Sequence, residues 1–479
     1  MEVKLNKNNI YEETLLEISN LIKGSNFENH VFLVGGAVRD LLMGRQIHDI
    51  DIAVDLENGG IEFSEWLCKE IGAYKEGSNP VIFPNFGTSK FNLRTIHKLS
   101  KIDIECVQTR KEQYHDPNSR NPSVTFGTIT EDAFRRDLTI NALYINLSNM
   151  TELDPTKMGL KDLNDCILRT PSKADVIYFE DPLRMLRTIR FKSRFGWGIE
   201  KETWFGIVKN AFRINTISQE RITDEINKIL ISPRPSLGIR QLYNCGLLDK
   251  VLPEVYNLIG CEQGEQHFGD VFEHTMMALE FTQPSLHNRL GILFHDIEKP
   301  NCKTTINGKI HFFSHEYSGA LKTKSIMQRM KYSNDDIDAV TMCVKNHMRF
   351  KQSGNNCPSN KSLRKFMADM KTNENMAMVL DVINADNNAH KPEYCALSQV
   401  NKILSKLIEL MGEGKEEKVT KVVLPINGHD IMERFNLKKG PKIGNYLEIV
   451  KDNYFDNPDI TREECFAIIQ SKIEAEAHI

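Results

Sequence analysis

Apolar residues recur at helical spacing in YEETLLEISNLIK (residues 11–23), where Leu15, Leu16, Ile18, Leu21 and Ile22 predict an amphipathic first helix. From there to about residue 150 the pattern shortens. Val31–Val34 is an unbroken apolar run interrupted by Gly35 and Gly36, and AVRDLLMG then reads as a short helix stopped by Gly44. HDIDIAV (48–54) and KIDIECV (101–107) alternate strictly and predict strands, as does Tyr144–Leu147. Beyond about residue 160 the period becomes helical, in DPLRMLRTIRFKSRF, QERITDEINKIL, EHTMMALEFT and DAVTMCVKNHM. The pattern is that of an α/β head followed by a long helical body. Breaks fall near Pro233 and Pro235, at Cys357-Pro358 and in the charged stretch GEGKEEK (412–418).

Composition changes this picture little. A chain of 479 residues exceeds what one core usually supports, so several domains are expected. With 40% apolar and 26% charged residues it is neither collagenous nor mostly disordered. A net charge of −4 neither demands nor excludes nucleic acid, since RNA binding needs only a local basic surface. The ten cysteines show no CxxC spacing and read as reduced cytosolic thiols. No apolar leader and no run of 18 apolar residues stands in the sequence, so a cytoplasmic protein without a membrane partner is expected.

The strongest chemical signal is VFLVGGAVRDLLMGRQIHDIDIAV. Gly35 and Gly36 permit a sharp turn and close approach of a triphosphate, and the helix after them presents free N–H groups. Asp49 and Asp51 are i, i+2 on a strand, so both carboxylates leave one face. Two adjacent carboxylates repel unless a cation lies between them, and Mg²⁺ prefers such hard oxygen ligands. A neighbouring strand offers Asp103 and Glu105 as the third carboxylate. The competing reading is a solvated acidic strand edge. The Gly-Gly-x-Val-Arg-Asp run, beginning fourteen residues before Asp49, favours the metal site.

Five motifs in order then point to a family: GGAVRDLLMG with DID, RRDLTINAL (135–143), DPTKMGLKDLNDCILRT (154–170), EDPLRMLRTIRF (180–191) and SQERITDEI (218–226). Over about residues 27–230 the chain resembles the class II CCA tRNA nucleotidyltransferases and bacterial poly(A) polymerases. The resemblance implies that Asp49 and Asp51 bind Mg²⁺, with Glu105, aligned on Arg110 at the strand's end, as the third catalytic carboxylate. It implies that Gly35, Gly36 and Arg39 adjoin the triphosphate, and that Arg136, Asp137 and Asn141 hold ribose and phosphates. Arg135, Arg136 and Asp137 also fit a plain surface ion-pair cluster.

Asp181 and Arg184 lie i, i+3. A carboxylate only accepts hydrogen bonds and a guanidinium only donates them. Cytosine and adenine each present an amino donor beside a ring-nitrogen acceptor, whereas uracil and guanine present the reverse. One Asp–Arg pair therefore suits both CTP and ATP, and the resemblance implies that role. Asp181 before Pro182 also suits a helix N-cap. Arg184, Arg187 and Arg190 form a stripe that fits a triphosphate, an RNA backbone or an ordinary solvated face.

A second constellation lies between residues 270 and 390. His274, His295, Asp296, His315, His347 and Asp386 are residue types that hold one or two divalent transition metals. Their spacing resembles the HD phosphohydrolases, with HDIEKP near the HDxGK signature. His274, His295, Asp296 and Asp386 match the core ligands, His315 and His347 the added histidines of binuclear members, and Lys299 a phosphate contact. Glu298 departs from the family's glycine, and a degenerate domain kept as scaffold is the competing reading. His267, His311 and His390 read as surface or outer histidines. Lys438, Lys439 and Lys442 flank a Gly-Pro turn and suit either tRNA phosphates or a charged loop.

The expected fold class is α+β. It has an N-terminal helix (1–26), a nucleotidyltransferase palm of mixed sheet and helices (27–150), a helical neck for nucleotide selection and RNA binding (151–265), a helical HD domain (266–400) and a helical tail (401–479). The expected function is template-independent addition of CMP and AMP from CTP and ATP to the tRNA 3′ end, with an HD-domain phosphohydrolase activity beside it. The expected partners are the tRNA acceptor end, CTP and ATP, with no DNA. The alternatives are a poly(A) polymerase, or an HD phosphohydrolase whose head only recruits RNA.

Overall fold

The computed structural model describes residues 5–6, 9–72, 79–84, 87–94, 101–113, 123–412 and 422–477. Residues 1–4 and 7–8 of the N-terminal segment and 413–418 of the charged stretch lie outside these. Two compact units divide between Pro253 and Glu254, so the expected boundary at 265/266 falls inside the second.

The first unit is built on α1 (Ile10–Ile22), β1 (Val31–Val34), α2 (Gly36–Leu42), β2 (Ile50–Val54), α3 (Gly59–Glu70), β3 (Val81–Phe83), β4 (Thr88–Arg94), β5 (Lys101–Gln108), β6 (Arg110–Gln113), β7 (Ser123–Phe126), α4 (Ile129–Phe134), β8 (Tyr144–Asn146) and β9 (Thr151–Leu153). Seven strands form one sheet in the order β3-β4-β5-β2-β1-β8-β9. Among the described residues, β2 and β5 are the one parallel pair in this sheet, which places Asp51 opposite Glu105. Parallel neighbours need a crossover, and α3 lies in that connection. The sequence pattern did not single α3 out. It packs Phe63 and Leu67 into the sheet's core, and a Cβ on Gly60 would lie 2.5 Å from the Gly87 carbonyl oxygen. Leu15, Ile18 and Ile22 of α1 enter the same core, so the N-terminal helix is part of the head.

One boundary corrects the expectation. Arg110 does not close the strand that carries Glu105: β5 ends at Gln108, and Arg110 opens the β6–β7 hairpin. The amide of Thr109 donates to the Val54 carbonyl and its hydroxyl to Asp55, which turns the chain out of the sheet.

Helices then take over: α5 (Gly159–Asn164), α6 (Ala174–Glu180), α7 (Leu183–Phe195), α8 (Lys201–Asn210), α9 (Gln219–Leu230), α10 (Pro235–Asn244) and the short α11 (Leu248–Val251), with β10 (Ile167–Leu168) and β11 (Gly198–Ile199) as a small parallel pair. After the boundary turn α12 (Pro253–Tyr256), the second unit contains α13 (Val271–Phe281), α14 (Leu286–Phe294), α15 (Lys299–Cys302), the hairpin β12 (Lys303–Ile306) and β13 (Lys309–Phe312), α16 (His315–Arg329), α17 (Asn334–Asn346), α18 (Asn360–Met370), α19 (Asn373–Asn388) and α20 (Gln399–Leu410). Helices Gly428–Phe435, Pro441–Asp456 and Arg462–Ala477 share a core around Ile431, Val450 and Ile469. No helix among the described residues is long and apolar enough to cross a membrane.

Candidate functional site

At the end of β1 the chain turns through Gly35, whose φ of 73° is the left-handed conformation that favours glycine. A Cβ there would lie 3.5 Å from Asp51 Oδ2. The turn thus brings bare backbone against a carboxylate. Strand β2 begins at Ile50, so Asp49 occupies the lead-in rather than the strand itself. Ile50 and Ile52 are buried in the core, and Asp51 projects from the other face. Burial first, then the charges of Asp49 and Glu105, push the Asp51 carboxyl up to about 6. Asp103 instead carries an exposed 3.7 Å ion pair with Lys90 of β4. Glu105, not Asp103, is therefore the acid in register with Asp51. Three crowded carboxylates are costly without a cation, and hard oxygen donors of this kind suit a divalent one.

Beside the acids opens a cavity of about 720 Å³. Its lining includes Gly35, Gly36, Arg39, Asp49, Asp51, Arg136, Asp137, Asn141, Asp181, Arg184, Arg187 and Arg190; Glu105 lies outside it. Nine arginines face five acids in this wall, an excess that focuses anionic ligands. Arg39 donates to Asn141 Oδ1 at 2.6 Å. Asp137 accepts from Asn141, the Leu138 amide and Arg187. Burial opposes its ionisation, yet Arg187 and Asn141 hold its carboxyl below the usual range. Asp137 thus fixes Asn141 and Arg187. Arg190 lies 3.0 Å from Glu225, so the outer stripe is paired rather than merely solvated.

The helix starts one residue later than expected, so Pro182 and not Asp181 holds the N-cap position. Asp181 Oδ1 accepts the Leu183 amide at 3.1 Å. Its Oδ2 lies 3.6 Å from Arg221. Arg184 is 7% exposed, lies 3.6 Å from Glu112 and 3.8 Å from Glu180, and keeps Nη1 without a hydrogen-bond partner among the described residues. Both residues line the cavity, so a donor and an acceptor face one space.

Two acids in this region were not foreseen. Asp132 is 1% exposed and accepts from Arg135, Arg136 and the Tyr144 hydroxyl. Burial disfavours its charge, but Arg136 and Arg135 keep it ionised. Its i, i+3 and i, i+4 spacing to the two arginines was a readable signal. Arg135 is accordingly half of a buried clamp and not a surface cluster. Glu112 gathers Arg110, Arg135 and Arg184, and only the β6–β7 hairpin brings it there.

In the second unit, all six expected ligand residues converge. His274, His295, His315 and His347 each place Nδ1 against a backbone carbonyl (Ala389, Ile292, Phe312 and Val344), which leaves Nε2 facing inward. The Nε2 atoms pair at 3.4 Å (His274–His295) and 3.2 Å (His315–His347). Asp386 Oδ1 lies 3.0 Å from His274, and Asp296 Oδ2 3.0 Å from His295. Asp296 Oδ1 lies 3.2 Å from His315 and 3.7 Å from His347. Asp296 thus spans two donor groups. Burial keeps His274 neutral and drives His347 to about 3; burial also opposes charge on His315, but its bond to Asp296 prevails and raises it. Imidazole lone pairs directed at one another and at buried carboxylates suit metal cations.

Lys299 Nζ lies 2.6 Å from Asp296 and 3.1 Å from Gln263. Glu298, the departure from the signature, turns its carboxylate to Asn301 instead. His390 is 4% exposed and not on the surface: its Nδ1 meets the Asp386 carbonyl at 2.7 Å, while His267 Nδ1 lies 3.3 Å from His274 Nδ1. His311 stacks on Phe313. In the tail, Lys442 lies 3.4 Å from Glu476.

Comparison with known proteins adds three findings. Residues 31–169 match the family model described as Poly A polymerase head domain, and 196–258 match one described as a probable RNA and SrmB-binding site of polymerase A. Among relatives, the chain is 41% identical over 218 residues to the mitochondrial CCA tRNA nucleotidyltransferase of Candida glabrata, covering 43% of this chain and 40% of that protein. It is 30% identical to the Multifunctional CCA protein of Vibrio parahaemolyticus, covering 75% of this chain and 86% of that one. The chain spans about two fifths of the length of the mitochondrial yeast relatives it matches. Among solved structures, the fold resembles the CCA-adding enzyme of Bacillus stearothermophilus in complex with CTP, with a TM-score of 0.66, 21% identity, and coverage of 98% of this chain and 99% of that one.

Proposed function

Since the chain belongs to the tRNA nucleotidyltransferase and poly(A) polymerase family, we propose that it adds CMP and AMP, from CTP and ATP, to the 3′ end of tRNA with release of pyrophosphate. One observation carries this reading: Asp51, crowded by Asp49 and Glu105, stands against the Gly35 turn beside the arginine-walled cavity. Asp49, Asp51 and Glu105 would hold Mg²⁺, which supplies charge neutralisation of the triphosphate and activation of the attacking hydroxyl when bound.

The chain's own groups supply the rest. Arg39, fixed on Asn141, and Arg136, fixed on Asp132, present guanidinium groups to an incoming polyphosphate. Arg184 Nη1, which makes no hydrogen bond among the described residues, donates to a ring-nitrogen acceptor, and Asp181 accepts from an exocyclic amine. Uracil or guanine would leave the buried Arg184 and the half-buried Asp181 facing their own kind, an arrangement that discriminates strongly. We place the enzyme in the cytoplasm, and its ten free thiols fit a reducing compartment.

The second unit is proposed as a metal-dependent phosphoester hydrolase. His274, His295, Asp296 and Asp386 would hold one divalent transition metal, and His315 and His347, with Asp296 shared, a second.

Radiolabelled CTP and ATP offered to tRNA ending before CCA, with sequencing of the product, tests the main reading. Growth by C, C and A supports it. Growth by A alone would identify a poly(A) polymerase, and Mg²⁺-independent or absent incorporation would overturn it.

A further inference from the structure

The second centre holds a lysine that no family signature singled out. Lys351 opens a 3₁₀ turn four residues after His347. The turn is pinned by Gln399, 1% exposed, whose side-chain amide donates to the carbonyls of Phe350 and Gly354. From there the Lys351 ammonium reaches 3.1 Å from Asp386 Oδ2 and 3.1 Å from His390 Nε2. His390 donates its Nδ1 proton to the Asp386 carbonyl, so its Nε2 is a lone pair that receives the lysine.

An ammonium carries three N–H groups, and these contacts use two. Among the described residues no acceptor meets the third. The six ligand side chains are at most 5% exposed, whereas the Lys351 side chain is 31% exposed. It is therefore the cation at this centre that is both in contact with a ligand and open to solvent. Lys299, on Asp296, is 9% exposed.

Charge says what the open face accepts. Asp296 and Asp386 are paired with Lys299 and Lys351, so with neutral imidazoles as metal ligands the acids and lysines of the centre cancel. Two divalent cations would leave it four positive charges in excess, a field that selects a multiply charged anion. Resting on the reading of this unit as a metal centre, we propose that Lys351 is a phosphate-binding residue of that centre, gripping an oxygen of a phosphomonoester or phosphodiester. The pairing with Asp386 holds the ammonium in place before the anion arrives.

The test uses the full chain loaded with Mn²⁺ and titrates inorganic phosphate by calorimetry, with metal content measured in parallel. Lys351→Met weakens phosphate at least tenfold while Mn²⁺ stoichiometry is unchanged, and Lys351→Arg restores most of the binding. Unchanged phosphate affinity in Lys351→Met overturns the proposal and leaves the metal centre standing. Loss of Mn²⁺ in step with phosphate assigns Lys351 to holding Asp386 and likewise overturns it. A wild-type chain that binds no Mn²⁺ at the histidine set refutes the metal centre itself.

Discussion

Asp51 is predicted to be a residue whose removal abolishes catalysis and stabilises the fold. Its carboxyl rises from 3.8 to about 6 because it is buried and faces Asp49 and Glu105. The sign follows from linkage: a raised acid binds its proton more tightly when folded, so ionising it costs stability as pH rises from about 4 to about 6. A tenfold change in proton affinity corresponds to about 1.4 kcal/mol, which puts a ceiling of about 3 kcal/mol on this cost. Solvent screening at the cavity mouth reduces it to about 1–2 kcal/mol. Asp51→Asn keeps the shape and removes the charge. In chelator, wild type and variant should unfold alike below about pH 4. Above pH 6 the variant should melt higher by about 3–6 °C, the increase expected for a domain of this size. Saturating Mg²⁺ should narrow the gap, because only the wild type gains from binding it. Calorimetry from pH 4 to 8, with and without Mg²⁺, checks this. A variant that melts at or below wild type at pH 7.5 in chelator, or a gap indifferent to pH, would refute the reasoning.

Asp132→Ala leaves Arg135 and Arg136 half-buried without their shared acceptor; it should cost about 3 kcal/mol in denaturant unfolding and raise KM for the triphosphate more than it lowers kcat. Asp181→Ala or Arg184→Ala should narrow discrimination against UTP and GTP by about 100-fold in competition assays while the cation site is retained. His295→Ala should lower the metal content of the second unit by elemental analysis while CMP incorporation is preserved. Chelator treatment followed by Mg²⁺ alone should restore nucleotide addition, read by the same incorporation assay.

Much of the head was legible because its signals are local. Strict alternation marked β2 and β5, and Gly35 marked the turn that only a left-handed residue makes easily. The choice between Asp103 and Glu105 was not local: both leave the same face of β5, and only the parallel register with β2 sets Glu105 beside Asp51. The partners of Arg184 were hidden for a similar reason, since Glu112 reaches it from a hairpin 72 residues earlier. The histidine set was readable as residue types, but the sharing of Asp296 between two donor groups needed the fold. His390 stands only four residues after Asp386, a local contact, whereas Lys351 carried no motif signal and reaches Asp386 of α19 from 35 residues earlier.

The claim on which the account rests is that Asp49, Asp51 and Glu105 hold a divalent cation against an incoming nucleoside triphosphate. Crystals grown with Mn²⁺ and a non-hydrolysable CTP analogue test it through anomalous scattering. The account predicts a peak about 2.0–2.2 Å from oxygens of these acids and of the triphosphate. A triphosphate bound elsewhere, or a site without a peak whose three carboxylates point apart, would contradict it.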